Sequence, residues 1–293
     1  MRHSFLSSFC LVFLLFVPLR FLSALEVEFI GGINNVTFHP DRVTAHGESK
    51  NFKVFQEYPY GYGSLSLKGE ISEKMGLNLF AERDNIMRNS LSGIVSASMD
   101  YISVEVGPFI GIGDTLEKPD IGITGSVQAA YPGIAFLSLH GASSLGYQYE
   151  FMGKNHREFA EARLGFWLPN MITTFSAGTK RYTHQIENKT IRDELTRFMF
   201  SADIYAKNFP LIIRIDAGYE ILSRIYNNKR YEIRDDLNAV FAGFDARWQF
   251  SKTLRFIAGF EIPVYYTTVA PMVAPDTNIE LYKFNAGIAY TFF

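Results

Sequence analysis

From residue 25 onward, apolar side chains take every second position in one segment after another. The last segment shows it most plainly. Tyr282, Phe284, Ala286, Ile288, Tyr290 and Phe292 alternate with Lys283, Asn285, Gly287, Ala289 and Thr291. In an extended chain the two sets point to opposite faces, one greasy with aromatic ends, the other small, polar or charged. Leu254, Phe256, Ala258, Phe260 and Ile262 repeat the pattern against Arg255, Ile257, Gly259 and Glu261. Val240, Ala242, Phe244, Ala246, Trp248 and Phe250 repeat it against Phe241, Gly243, Asp245, Arg247 and Gln249. This periodicity predicts fourteen strands, over residues 25–36, 60–71, 74–83, 90–99, 102–112, 119–130, 134–148, 158–168, 171–183, 193–206, 211–225, 236–250, 253–267 and 279–293. Each runs about ten residues or more, the length a tilted strand needs to cross the hydrocarbon of a bilayer.

The connections alternate as well. Tight turns follow the even-numbered strands, at Ser72-Glu73, Asp100-Tyr101, Tyr131-Pro132-Gly133, Pro169-Asn170, Asn208-Phe209-Pro210 and Ser251-Lys252. Longer polar stretches, such as residues 37–56, 184–192 and 226–235, follow odd-numbered strands, with intermediate loops over residues 84–89 and 113–118. Short turns on one rim and long loops on the other are the asymmetry of barrels in bacterial outer membranes. An even strand count places both chain ends on the short-turn, periplasmic rim.

Alternation alone also fits a soluble all-β sandwich or a lipocalin-like barrel. Strand number separates them. About eight strands already make an interior that side chains just fill, and fourteen enclose more. An apolar outside around a water-filled centre lined by Arg, Asp and Glu is the consistent arrangement. Closure also removes sheet edges that lipid could never satisfy. The predicted fold is therefore all-β: a transmembrane antiparallel up-and-down β-barrel of about 14 strands. Pro108 and Pro263 fall inside strands five and thirteen, where a missing N–H breaks the ladder. Each is expected to mark a bulge near the outer rim; a kink that opens the wall sideways is the alternative.

Residues 1–24 read as a secretory signal peptide. Arg2 and His3 precede a mostly apolar run over residues 5–19, and Ser23-Ala24 offers a small-residue cleavage point. The alternative is an uncleaved helical anchor over residues 5–24, and Arg20 near its end argues against it. The barrel would then occupy residues 25–293. Cleavage would remove Cys10, the only cysteine, and with it any disulfide or cysteine-ligated metal site. It would also remove Arg2 and Arg20, taking the net charge from −2 to −4. That is no electrostatic footprint for nucleic acid. Beyond the leader, no apolar run approaches the roughly 18 residues of a helical span.

The C-terminal segment resembles the recognition strand that ends bacterial outer-membrane β-barrels, a Tyr-x-Phe terminus, here Tyr290-Thr291-Phe292, with Phe293 following where that pattern normally stops. By strand number and length, the whole mature chain resembles the fourteen-stranded monomeric porins. The resemblance implies a monomer in the outer membrane of a diderm bacterium, passing small hydrophilic solutes passively and with weak selectivity. It also implies insertion through the barrel-assembly machinery, with Tyr290, Phe292 and Phe293 as the assembly signal. The fourteen-stranded long-chain fatty-acid transporters are a more distant likeness. They carry an N-terminal plug, whereas Val27, Phe29 and Ile33 here begin a strand almost at the expected mature N-terminus, leaving no room for one.

Parity points Glu26, Glu28, Lys68, Glu70, Glu82 and Glu105 inward from strands one to five. From strands eight to thirteen it points Arg163, Lys180, Arg197, Arg214, Arg224, Arg247 and Arg255 inward, among Glu161, Asp203, Asp216, Glu220, Asp245 and Glu261. The candidate pore-lining set is Glu28, Glu70, Glu82, Glu105, Arg163, Arg197, Arg214, Asp216, Asp245, Arg247, Arg255 and Glu261. An acidic arc facing an arginine-bearing arc would orient dipolar solutes and set weak ion selectivity. With a Debye length of about 8 Å, the two walls would feel each other only in part. The plainer reading is ion pairing along the wall, Arg214 with Asp203, and Arg247 with Glu261 or Glu220.

No catalytic constellation stands out, and no enzyme activity is expected. His140 is predicted to face inward between Ser138 and Ala142, with Ser144 further along, but a nucleophile–base pair needs hydrogen-bond contact and a third orienting group. Asp114, Thr115 and Asp120 are too sparse for a calcium loop. Gly61-x-Gly63 and Gly111-x-Gly113 lack the strand–helix setting of a nucleotide loop. No metal or cofactor is expected, and the expected partners are outer-membrane lipid and small hydrophilic solutes. The loop over residues 37–56, with His39, Asp41, Arg42, His46, Glu48 and Lys50, would face outside as a solvated cap or as an adhesive, ligand-binding surface. Tyr58, Tyr60 and Tyr62 look like interfacial girdle residues.

Overall fold

The computed structural model describes residues 25–34, 37–38, 55–56, 60–112, 119–145, 148–149, 153–186, 189–206, 208–228, 231–269 and 283–292. Fourteen strands build the wall: β1 (Leu25–Asn34), β2 (Tyr60–Ser72), β3 (Met75–Asp84), β4 (Arg88–Ser98), β5 (Ile102–Ile112), β6 (Asp120–Tyr131), β7 (Ala135–Leu145), β8 (Gly153–Leu168), β9 (Met171–Ile186), β10 (Lys189–Ala206), β11 (Phe209–Asn228), β12 (Tyr231–Gln249), β13 (Leu254–Val269) and β14 (Lys283–Phe292). Each pairs antiparallel with its neighbours in sequence, and β14 pairs with β1 from Phe292 opposite Leu25 to Lys283 opposite Asn34. The sheet is a closed up-and-down barrel, in the strand number that the alternation predicts. Residues 1–24, the expected leader, lie outside the described residues, as do Phe293, His39 and His46.

The wall is two-faced throughout. On β14, Phe284, Ile288, Tyr290 and Phe292 are exposed outside while Ala289 is buried inside. Ile102, Val104 and Val106 of β5, Ile121, Ile123 and Val127 of β6, and Leu137 and Leu139 of β7 are likewise exposed. So continuous an apolar exterior suits lipid and not water. Aromatic rings gather at the short-turn rim. Tyr101 stacks on Tyr131 at 6.3 Å, Trp248 packs against Phe250 at 5.4 Å, and Tyr290 against Phe292 at 4.6 Å. These are the positions of an interfacial girdle.

Outward charge returns higher up the wall. On β9 it first appears at Arg181, ten residues above Met171. At about 3.3 Å per residue and a tilt of about 40°, that rise spans roughly 25 Å, the height of a barrel's apolar band. Arg181 bonds Glu158 at 3.0 Å and Glu194 at 3.1 Å, and Arg234 bonds Asp236 at 2.9 Å, all on the outer face above the band. Among the described residues no helix is long and apolar enough to cross a membrane. Crossing falls to the strands.

The wall is uneven in height. β1 to β7 run 10–13 residues, whereas β8 to β13 run 16–20. Residues 184–192 and 226–235, expected as loops, are largely strand: the ladders continue to Ile186 opposite Lys189 and to Asn228 opposite Tyr231. Above the hydrocarbon both faces of a strand meet polar surroundings, so the alternation fades while the hydrogen bonds continue. Residues 84–89 are likewise no loop, but a tight turn, since Asp84 pairs with Arg88.

The two prolines behave differently. Phe241 faces Pro263 and Val240 faces Tyr265, which leaves Val264 as the extra residue of a bulge. Pro108 makes no bulge. Ser92 opposite Phe109 and Val95 opposite Val106 keep one register, and pairing lapses only between them. A Cβ on Gly107 would fall 1.9 Å from the Gly93 carbonyl oxygen, so the strands approach too closely there for any side chain. The wall stays continuous past Pro108 and does not open sideways. On this architecture Ile215→Arg, at a mid-wall outward position, is expected to lower the stability of the refolded barrel by about 2–4 kcal/mol in urea titrations on lipid vesicles. Inward Gln128→Arg is expected to shift it by about 0.5 kcal/mol or less.

Candidate functional site

The inward charges come in bonded sets. Arg255 of β13 reaches past β14 to Glu28 at 2.9 Å and Glu26 at 3.3 Å on β1. Arg214 grips Asp203 on the adjacent strand through two hydrogen bonds of 2.7 and 2.8 Å, the pairing that the sequence suggested. Arg163 turns to Glu161, two residues away, at 2.5 Å. Glu105 accepts a hydrogen bond from Ser126 at 2.8 Å, and the Asn285 amide lies 3.4 Å from Asp245. Asp216 is buried opposite Ser201, whereas Glu70 stays exposed near the short-turn mouth.

Arg247 departs from expectation. Glu261 is taken by Arg197, whose guanidinium also lies 3.9 Å from the centre of the Phe241 ring. Arg247 has Ile212 and Ile257 as its ladder partners and forms no ion pair among the described residues. The expected Arg247 pairs with Glu261 or Glu220 are therefore absent there. Arg197 wins because its guanidinium stacks on an aromatic face while it bonds the carboxylate.

One bond set spans the lumen. Lys180 of β9 reaches Glu82 at 3.1 Å and Asp84 at 2.6 Å on β3, six strands round the ring. The two arcs expected to face each other across water thus meet. The turn between β3 and β4, Asn85-Ile86-Met87, brings this about by folding inward. Asp84 shapes it: one carboxylate oxygen accepts the Ile86 N–H at 2.8 Å and the Met87 N–H as well. Arg88 then takes a φ of 62°, a left-handed conformation unfavourable for such a residue by about 1–2 kcal/mol. Ile86 and Met87 are 0% and 4% exposed.

The inner face of the tall wall receives this turn. Arg157 of β8 donates its Nε–H to the Met87 carbonyl at 2.7 Å, pairs with Asp120 of β6, and lies 4.8 Å from the centre of the Tyr182 ring. Asp193 of β10 is held by two hydrogen bonds of 2.6 Å from Arg224 and lies 3.7 Å from Arg88. Leu222, Tyr226, Ile233 and Leu237 are buried on the same side. The water-filled centre inferred from strand number is therefore partly occupied by a small core of its own. Sequence reasoning missed both the turn and Arg157. The available signal was Ile86-Met87, an apolar pair out of place in a solvated loop.

Against the turn lies a chamber of about 540 Å³. Phe80, Ile94, Phe109 and Phe159 give it an apolar side, and Arg163, Lys180, Arg197 and Lys283 give it cations. His140 lines it too, its ring edge-on to Phe159 with centroids 4.8 Å apart and Nε2 3.4 Å from Thr124 Oγ1. Ser144 Oγ accepts the Arg157 backbone N–H at 2.7 Å, which commits that hydroxyl to the wall.

A closed wall, apolar outside over one bilayer core and ion-paired within, defines a membrane-spanning β-barrel. Among solved structures the chain is similar to OmpT, an outer membrane protein of Vibrio cholerae, at 9% identity and a TM-score of 0.45, over 92% of this chain and 96% of that one. It is similar to an outer membrane channel from Pseudomonas putida F1 at 9% identity and a TM-score of 0.47, over 92% and 96%. A porin matches at 7% identity and a TM-score of 0.43, over 92% and 100%. No protein-family model and no curated protein sequence matches the chain. The Arg157–Asp120 pair gives a direct test of the inner core. Arg157→Met strands a buried carboxylate and is expected to cost about 3–5 kcal/mol in urea unfolding followed by tryptophan fluorescence. The double variant Arg157→Met/Asp120→Leu is expected to recover most of that loss.

Proposed function

We propose that the protein is an outer-membrane channel for small hydrophilic solutes, working as a monomer and without a cofactor. The observation that supports it is the facing of the side chains. Around the ring, over the height of the apolar band, the exterior is apolar and the ionisable groups point inside, so the polar route across the membrane is the interior. Glu28, Glu82, Arg163, Arg197, Arg214, Arg255 and Glu261 would line that route as acid–base pairs. Pairing cancels most of the local net charge, which favours weak ion selectivity and suits dipolar, uncharged or zwitterionic solutes. Glu70, at the short-turn mouth, would be the charge a solute meets first from the periplasm. Tyr290 and Phe292, exposed at the outer face beside the seam, would serve with Phe293 as the assembly signal.

A transporter of hydrophobic substrates is the second reading, favoured by the apolar side of the chamber at Phe80, Ile94, Phe109 and Phe159. Bilayer recordings separate the two. Refolded protein in a planar bilayer is expected to give discrete current steps with little preference between small cations and anions. Arg255→Glu is expected to move that preference toward cations. Folded protein that carries no current, both as the native chain and as Lys180→Met, would sink the channel and leave the hydrophobic route.

A further inference from the structure

We infer that the inward-folded turn between β3 and β4 is the gate of this channel, shut when it is docked on the tall wall and open when it swings clear. The inference rests on the channel reading and adds its regulation. The backbone ladder of the β3–β4 hairpin ends at Asp84 opposite Arg88. Beyond that pair, Asn85, Ile86 and Met87 cross to the tall wall, where the turn and its flanking residues meet side chains of that wall, among them Arg157, Lys180, Tyr182 and Asp193. A tip held in this way can leave without breaking a strand.

The wall is built to let it go. Arg157 keeps Asp120 when the Met87 carbonyl leaves, and Asp193 keeps both of its bonds to Arg224 when Arg88 leaves. Neither buried ion is orphaned, so the usual obstacle to opening a buried ionic contact is absent. What opening does cost is the burial of Ile86 and Met87 and the bond of Lys180 to Asp84, while Glu82, laddered on both sides, stays with Lys180. The φ of 62° at Arg88 closes the three-residue hairpin turn and is kept in both positions, so the tip can move as one piece. Docked and released states separated by a few such contacts make a two-state element. The chamber of about 540 Å³ lies directly against the turn, so release joins it to the space the turn had filled.

Single-channel recordings on the full refolded barrel test this. Lys180→Met and the double variant Ile86→Ser/Met87→Ser each remove one element of the latch. Either is expected to raise the open fraction on the order of tenfold over the native protein, the effect of losing about one buried ionic or apolar contact. Lys180→Arg is expected to stay as closed as native, and Arg181→Met, which breaks two ion pairs on the outer face, is expected to change nothing. Heat-resistant migration and a β-type circular dichroism spectrum confirm folding for each protein recorded. Should the latch variants match the native open fraction and conductance, the gate is overturned while the channel stands. Should folded native and variant proteins all stay silent, the channel reading itself fails.

Discussion

Hydrocarbon offers a peptide group no hydrogen-bond partner, and the rest of this structure depends on that fact. A spanning sheet must pair every strand on both sides, so the first and last strands must find each other. β1 and β14 do so through ten opposed residue pairs. Closure then forces the faces apart. Once the ring is shut, each side chain belongs either to lipid or to the enclosed space, and strand alternation deals them out in turn. The aromatic and aliphatic set went outside, so every ionisable group of the spanning wall had to be accommodated within.

A fourteen-strand ring encloses more volume than its own side chains fill. Here the surplus is taken up on one side. Six consecutive strands rise well above their neighbours, and their inner faces carry Arg157, Tyr182, Asp193 and Arg224 into reach of the β3–β4 turn. Charges buried in this way are tolerable only in pairs. The pairs are formed within the wall wherever they are most enclosed, at Arg157–Asp120 and Arg224–Asp193, and across the lumen where exposure is greater, at Lys180. The interior is thus a polar core with a chamber beside it, a compromise between an open tube and a solid plug.

Most of the wall was legible in the sequence because the constraint acts on every second residue. Strand β5 was placed to its ends, and the outward face of β14 was read side chain by side chain. What was not legible lies where that constraint stops. Above the hydrocarbon, residues 184–192 lost their alternation while keeping their ladder, so strand was read as loop. Arg214–Asp203 could be anticipated because the partners are opposite each other on adjacent strands. Arg197–Glu261 and Lys180–Asp84 could not, since those residues meet through the curvature of the ring, which periodicity does not encode. Pro108 was misread for a related reason: its missing N–H is accommodated by the close approach at Gly107, a property of two strands and not of one.

The neighbour-only pairing has a further meaning for how the molecule comes into being. Thirteen of its hairpin contacts are local and can form as soon as two successive segments exist, which favours quick zippering. The remaining contact joins the two extremes of the chain and cannot begin until β14 has arrived. Until that moment the growing sheet carries two raw borders with unsatisfied amides and a greasy back, an arrangement prone to sticking to other copies. Whatever escorts this polypeptide must therefore cover those borders for the full length of synthesis and release them only at the end.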